Sequence, residues 1–260
     1  MLENIKLTDV LFLDVETAPV VHKYSQLDTT MRNMWDSKFR FQKEESPEEG
    51  YKKAGIYAEF AKIICISVGI LTEDKFRVKS FYGDDEKKIL TDFAALLNKH
   101  YNTKDKMLCA HNGKEFDFPF MARRMLINGV KLPKLLNIAG KKPWEIHHLD
   151  TMELWKFGDY KSYTSLNLLA AIFNIPTPKD DIDGSDVARV YWEEKNIERI
   201  VTYCQKDVLT VAQLLLRFLN QPLIDDKNIS IAWFSLSFLP IFAAKLATCG
   251  RQIRFISHQL

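Results

Sequence analysis

Residues 10–15 read VLFLDV and run on into Glu16. Four apolar residues in a row, rich in branched and aromatic side chains, predict a buried β-strand. Successive side chains of a strand alternate faces, so Asp14 and Glu16 project to the same side. Two carboxylates then stand next to each other on an otherwise apolar element. Such a pair repels itself and raises its own pKa unless a positive charge joins it, and a hard divalent cation is a suitable partner. The plainer alternative is a strand end emerging into solvent, where acids cost little.

The pattern extends outward from this strand. Residues 62–71 (KIICISVGIL) predict a second strand, and the alternation in 76–82 (FRVKSFY) a half-exposed third. Residues 86–100 place Ile89, Leu90, Phe93, Leu96 and Leu97 at helical spacing. A short strand at 107–110, a helix at 118–128 closed by Gly129, and a fifth strand at 146–149 follow. The chain from there to 220 reads as helical, broken by IPTPKDDIDG at 175–184. Neighbouring strands first, then strands alternating with helices, predict a mixed five-stranded sheet flanked by helices in one α/β domain over 1–220. Residues 24–57, with Tyr24, Trp35, Phe39, Phe41, Tyr51 and Tyr57 among many charges, read as an insertion between the first two strands.

Composition bounds the function. The chain has 260 residues, 47% of them hydrophobic, which supplies a sizeable core and excludes a disordered or fibrous protein. Lys and Arg number 36 against 34 Asp and Glu, so this is no bulk polycation gripping duplex nucleic acid by charge alone. The last 32 residues contain only Lys245, Arg251 and Arg254 as charges, leaving 33 basic against 34 acidic residues in 1–228. There is no GxxxxGK[ST] loop and no GxGxxG, which removes support for nucleotide hydrolysis or dinucleotide redox chemistry. Cys65, Cys109, Cys204 and Cys249 are widely spaced with no CxxC pair, and read as buried free thiols in a reducing compartment. The start, MLENIKLTDV, lacks the basic and apolar stretches of a signal peptide, so the expectation is a cytoplasmic protein. The run from Ile229 to Cys249 carries one charge, Lys245, but three serines and Pro240 interrupt it. The expectation is an extension at 221–260 packed on the body or on a second copy, and no membrane span.

Two further clusters bear on chemistry. HNGKEFD at 111–117 follows the fourth strand and opens a helix. Gly113 suits a sharp turn, Asn112 at the strand end suits a turn former, and Asp117 suits a helix start, where a negative charge interacts well with the dipole. In the late helix, Tyr203 and Asp207 are four apart and share a face. A phenol next to a carboxylate can orient a water.

Taken in order, the strand Asp14-x-Glu16, the Asn112-x-x-x-Phe116-Asp117 after a later strand and the Tyr203-x-x-x-Asp207 of a late helix resemble the DEDD exonucleases. The tyrosine form is similar to the subgroup that includes the proofreading domains of family-B DNA polymerases, and to stand-alone bacterial 3′–5′ exonucleases related to that domain. FLDVETAP, KIICISVG, AHNGKEFDFPFMARR and YCQKDVLTVAQLL carry the likeness, which covers about residues 8–219.

The resemblance implies an RNase H-like fold and two Mg²⁺ or Mn²⁺ ions. By position, Asp14, Glu16 and Asp207 would bind the ion that activates water. Asp14 and Asp117 would serve the second, and Tyr203 would position the water. Asn112 and Phe116 would contact the terminal nucleotides, and backbone around Glu16 and Thr17 the terminal hydroxyl. The implied activity is 3′–5′ hydrolysis of single-stranded DNA ends, releasing nucleoside monophosphates. RNA 3′ trimming is the alternative enzyme, and a non-catalytic nucleic-acid-binding module the alternative outside catalysis. Asp150 ends a probable strand, where capping the next helix is the simpler role. His147 and His148 are adjacent and face opposite ways on a strand. His111 reads as a turn residue with substrate contact as the alternative. Lys141, Lys142 and Trp144 form a basic, aromatic loop.

Overall fold

A computed structural model describes residues 5–40, 46–73, 75–142, 145–159, 161, 163–176 and 182–231. The strands are β1 (Val10–Pro19), β2 (Ala61–Leu71), β3 (Phe76–Tyr82), β4 (Met107–Ala110), β5 (Leu149–Asp150) and β6 (Ile229–Ile231). The helices are α1 (Thr29–Phe39), α2 (Pro47–Gly50), α3 (Glu86–His100), α4 (Asp117–Ile127), α5 (Thr151–Lys156), α6 (Leu166–Ile172), α7 (Val187–Arg189) and α8 (Ile197–Phe218).

The strands form one sheet in the order β5-β4-β1-β2-β3-β6. β2 runs antiparallel to both β1 and β3, whereas β4 is parallel to β1 and β5 to β4. This is the mixed α/β sheet expected of an RNase H-like plan. It has one strand more than the five read from the sequence, because the start of the C-terminal extension pairs in parallel with β3. Three residues without strong alternation leave no strand signal of their own, so only the exposed edge of β3 defines β6. The fifth strand also lies later than 146–149, since its pairing with Cys109 and Ala110 decides its register. The rest of the extension, including the apolar run and Cys249, lies outside the described residues. No helix among the described residues is long and apolar enough to cross a membrane.

β1 is buried on both faces, and its alternation sorts two cores. Leu11, Leu13 and Val15 pack with Ile63, Ile66 and Val68 of β2 and with Leu90 and Phe93 of α3. Val10 and Phe12 pack the other way, against Val208, Val211, Ala212 and Leu215 of α8. Each such side chain contributes about 1.5–3 kcal/mol when fully buried. Asp14 and Glu16 fall in the series of Val10 and Phe12, so they face α8.

One buried ion pair ties three elements together. The Glu86 carboxylate at the start of α3 accepts from Arg124 Nε at 2.8 Å and Nη2 at 2.6 Å, and from Asn128 Nδ2 at 2.8 Å. Its Oε1 also accepts from the Ile63 amide at 2.7 Å. Residues 24–57 carry α1 and α2, and their aromatic core is completed by Phe60: Trp35 meets Phe39, Tyr51, Tyr57 and Phe60 at centroid distances of 4.4–5.7 Å.

Candidate active site

The site forms where β1 and β4 separate. Their ladder pairs Val10, Leu11 and Phe12 with Met107, Leu108 and Cys109. Past that point, Val15 N–H turns to the Asp14 and Asp117 carboxylates. Across β2 the register shifts between Glu16 and Thr17, so that Cys65 faces Glu16 and Ile63 faces Thr17. The extra residue, Ile64, makes a bulge that re-aims the strand at this point.

Asp14, Glu16, Asp117, Tyr203 and Asp207 converge there from three distant stretches of chain. Glu16 is within electrostatic reach of Asp14, Asp207 and Asp117, and Asp117 of Asp14. Burial pushes all three of the first acids above the ordinary carboxylate range, Asp14 to about 6. Neighbouring negative charge adds to the shift of Glu16 and Asp117. Tyr203 hydrogen-bonds Asp207, and its phenol is pushed up by burial first and then by Asp207, Glu16 and Asp14. Asp14 and Glu16 bring carboxylate oxygens within 4.8 Å of each other, with Asp117 and Asp207 in electrostatic range, and oxygen donors of this kind are what a hard cation takes as ligands.

In the loop from β4 to α4 the turn former is Asn112, which takes the left-handed backbone with φ 62°, and not Gly113. Glycine is needed at 113 for space, because a Cβ there would lie 2.5 Å from the Ala110 Cβ and 2.9 Å from the Phe118 ring. Asp117 is the first residue of α4 and Phe116 its cap, so the Asp117 carboxylate faces the cluster instead of capping the helix. Phe116 is half-buried and leans on Phe120 at 5.2 Å. Asn112 Oδ1 is buried and has no hydrogen-bond partner among the described residues.

Asp150 clamps this loop, which is more than its expected role as a cap. Its Oδ1 accepts from the Met152 and Glu153 amides of α5 at 3.0 and 3.2 Å, and from the Asn112 amide at 2.9 Å. Its Oδ2 accepts from the Lys114 amide at 3.0 Å. His111 is a pinned turn residue: Nε2–H donates to the Thr164 carbonyl at 2.9 Å, and Thr151 Oγ1 donates to Nδ1 at 2.9 Å. His147 is exposed and His148 buried, both just before β5 begins. The Thr17 hydroxyl donates to the Gly55 carbonyl at 2.7 Å, tying β1 to the 24–57 segment. Lys141 and Lys142 are exposed, and Trp144 lies outside the described residues.

Sequence reading missed Cys204. Its Sγ lies within 4.8 Å of carboxylate oxygens of Asp14 and Glu16, and it donates to the Asp14 carbonyl at 3.4 Å. Burial, a hydrogen bond with Cys65 and the nearby acids push this thiol up, so it stays protonated and acts as a donor. Its place three residues before Asp207 on α8 was the available signal.

The family of predicted 3′–5′ exonucleases related to the exonuclease domain of PolB matches residues 56–226. The chain belongs to this family. Membership makes it a 3′–5′ exonuclease domain, a hydrolase. It is also 22% identical over 215 residues to a DNA polymerase of Pyrococcus glycovorans, an alignment covering 68% of this chain and 27% of the polymerase. The chain thus spans about a quarter of the length of that curated relative. Among solved structures, the RNase domain of the yeast Pop2 protein aligns over 78% of each chain at 11% identity and a TM-score of 0.36. The family match takes in α4, the β4–α4 loop and all of α8, and begins after Asp14 and Glu16.

Proposed function

We infer that this exonuclease domain removes nucleotides from single-stranded DNA 3′ ends with two divalent cations, Mg²⁺ or Mn²⁺. The observation that carries the reading is the convergence of Asp14, Glu16, Asp117 and Asp207 with Tyr203 within mutual electrostatic range in a family member. Asp14, Glu16 and Asp207 would hold one ion, and Asp14 with Asp117 the other. Paired divalent ions supply an activated water and charge relief at the leaving oxygen. The protein's own contribution is placement. Tyr203, held by Asp207, orients the attacking water toward phosphorus. Phe116 offers a half-exposed ring to an unstacked terminal base, a contact worth about 1–3 kcal/mol and indifferent to sequence. The unpaired Asn112 Oδ1 accepts from the sugar or base of the same nucleotide. Backbone at the Glu16–Thr17 bulge receives the terminal hydroxyl, since the Thr17 side chain is already engaged with Gly55.

The test is release of nucleoside monophosphate from a labelled single strand. Activity is expected with Mg²⁺ or Mn²⁺, to vanish in chelator, and to be lost in Asp14→Ala and Asp207→Ala. No release with either metal, or full activity in either variant, overturns the assignment. Matched DNA and RNA strands in parallel decide the sugar, with a faster DNA rate expected.

A further inference from the structure

Beside the N-terminus of α8 lies a second cleft of about 370 Å³, lined by Lys62, Asp84, Tyr191, Trp192, Lys195 and Ile197. Its floor is a π turn at Val190–Glu194, a strained form of helix that recurs at functional sites. That turn carries Tyr191 and Trp192, and both rings are held in place. The Trp192 indole donates to the Pro19 carbonyl at 3.1 Å and stacks on His22 with centroids 6.1 Å apart. Lys62 Nζ donates to the Tyr191 hydroxyl at 2.8 Å, and that hydroxyl donates to Asp84 at 2.5 Å.

Two ammonium groups meet here. Lys62 Nζ is 5.5 Å and Lys195 Nζ 4.8 Å from the Trp192 ring centre. Among the described residues, neither lysine has a carboxylate within ion-pair distance. Burial lowers the Lys62 ammonium below the ordinary lysine value and the charge of Lys195 adds to this, against the pull of Asp84 and Glu86. Like charges held together on a rigid aromatic platform are the arrangement an anion neutralises, and an aromatic ring beside a cation suits a phosphate that carries a base.

The cleft has a fixed relation to the carboxylates. Lys62 pairs with Ala18, two residues beyond Glu16 and so on the same sheet face. Along α8, Ile197 at the cleft and Asp207 at the site are ten positions apart, roughly 15 Å of helix. This is a reach of a few nucleotides.

We propose that the Lys62–Trp192–Lys195 cleft binds backbone phosphate of the same single strand, on the 5′ side of the nucleotide being removed. The proposal rests on the exonuclease reading for its ligand. It makes the enzyme hold long strands better than short ones and adds a salt-dependent grip that the acidic centre lacks.

The decisive measurement is equilibrium binding of a fluorescent single strand of about 20 nucleotides, longer than typical single-strand site sizes. Full-length wild type, Lys195→Gln and Lys62→Gln/Lys195→Gln are compared in chelator, where hydrolysis is off. Each lost lysine should reduce the slope of log affinity against log salt by about 0.7. The double variant should bind about tenfold more weakly, a shift of about 1.4 kcal/mol. With Mg²⁺, its KM for the long strand should rise by the same factor, and its KM for a dinucleotide should move far less. Lys195 is exposed, so its single variant reports even if losing Lys62 disturbs the fold. Unchanged affinity and salt slope in Lys195→Gln overturn the proposal. Thermal stabilisation by a nucleoside monophosphate that depends on Lys195 would mark a product site instead, and overturns it too. Wild type that binds through these lysines but releases no nucleotide would sink the exonuclease reading and leave the cleft assignment standing.

Discussion

Asp14 illustrates how the proposed metal role and stability oppose each other at one residue. Its carboxyl titrates at about 6 because it is buried, so at neutral pH the metal-free fold holds a charge that costs energy. Asp14→Asn should therefore abolish hydrolysis yet stabilise the metal-free protein, by up to about 3 kcal/mol for a shift of about two units. Denaturant unfolding in chelator at pH 7.5 measures this, and a destabilised variant would refute it. Tyr203→Phe isolates a different contribution. It removes the hydroxyl that meets Asp207 but leaves every carboxylate in place. Lowered kcat by about tenfold to a hundredfold, the cost of a misplaced reactant, is expected with Mn²⁺ affinity unchanged by calorimetry.

At the scale of elements, the β4–α4 loop depends on a residue that touches no expected ligand. Asp150 holds the Asn112 and Lys114 amides and caps α5 at the same time. Asp150→Ala should cost about 2–4 kcal/mol, combining a lost cap with lost charge-assisted hydrogen bonds. Hydrolysis should fall with it, and Asp150→Asn, which keeps one acceptor oxygen, should recover part of both. Melting curves and single-turnover rates on the two variants test this together. The elements themselves were largely legible beforehand. β3, β4 and α3 have the predicted ends, because alternation of period two and a helical stripe are local signals. The reason for Gly113 was not legible. Its crowding against Ala110 and Phe118 comes from tertiary packing, while the left-handed residue is Asn112.

For the molecule as a whole, buried His148 and half-buried Asp14 give opposite responses to acid. His148 accepts from the Leu108 amide at 3.2 Å and donates to the Leu135 carbonyl at 2.8 Å, and burial lowers its pKa to about 4. Its folded value lies below its unfolded one, so its stabilisation is complete above about 6.5 and is lost as pH falls toward 4. Asp14 behaves the other way. Its folded value is raised, so its penalty is absent in acid and grows as pH rises from about 4 to about 6. A bound cation offsets only the second of these. The rise in Tm caused by Mn²⁺ should therefore be small at pH 5 and should grow as pH rises through 6 and beyond, since Glu16 and Asp117 are raised as well. A metal-induced shift that does not vary with pH would contradict this account.

The sequence by itself determined the local periodicities, and with them the α/β class, the ends of β3, β4 and α3, and the three acidic clusters. Charge patterning along β1 already placed Asp14 and Glu16 on one face, because a strand alternates by geometry alone. Only the tertiary structure decided which groups meet that face. It brought α8 across the strand so that Asp207, Tyr203 and the unforeseen Cys204 meet Asp14 and Glu16, and it turned Asp150 into the clamp of the neighbouring loop. It also joined Lys62 to Lys195 across more than a hundred residues of chain, and added β6 to the sheet edge. Such contacts depend on burial and packing between elements far apart in sequence, and no local pattern encodes them.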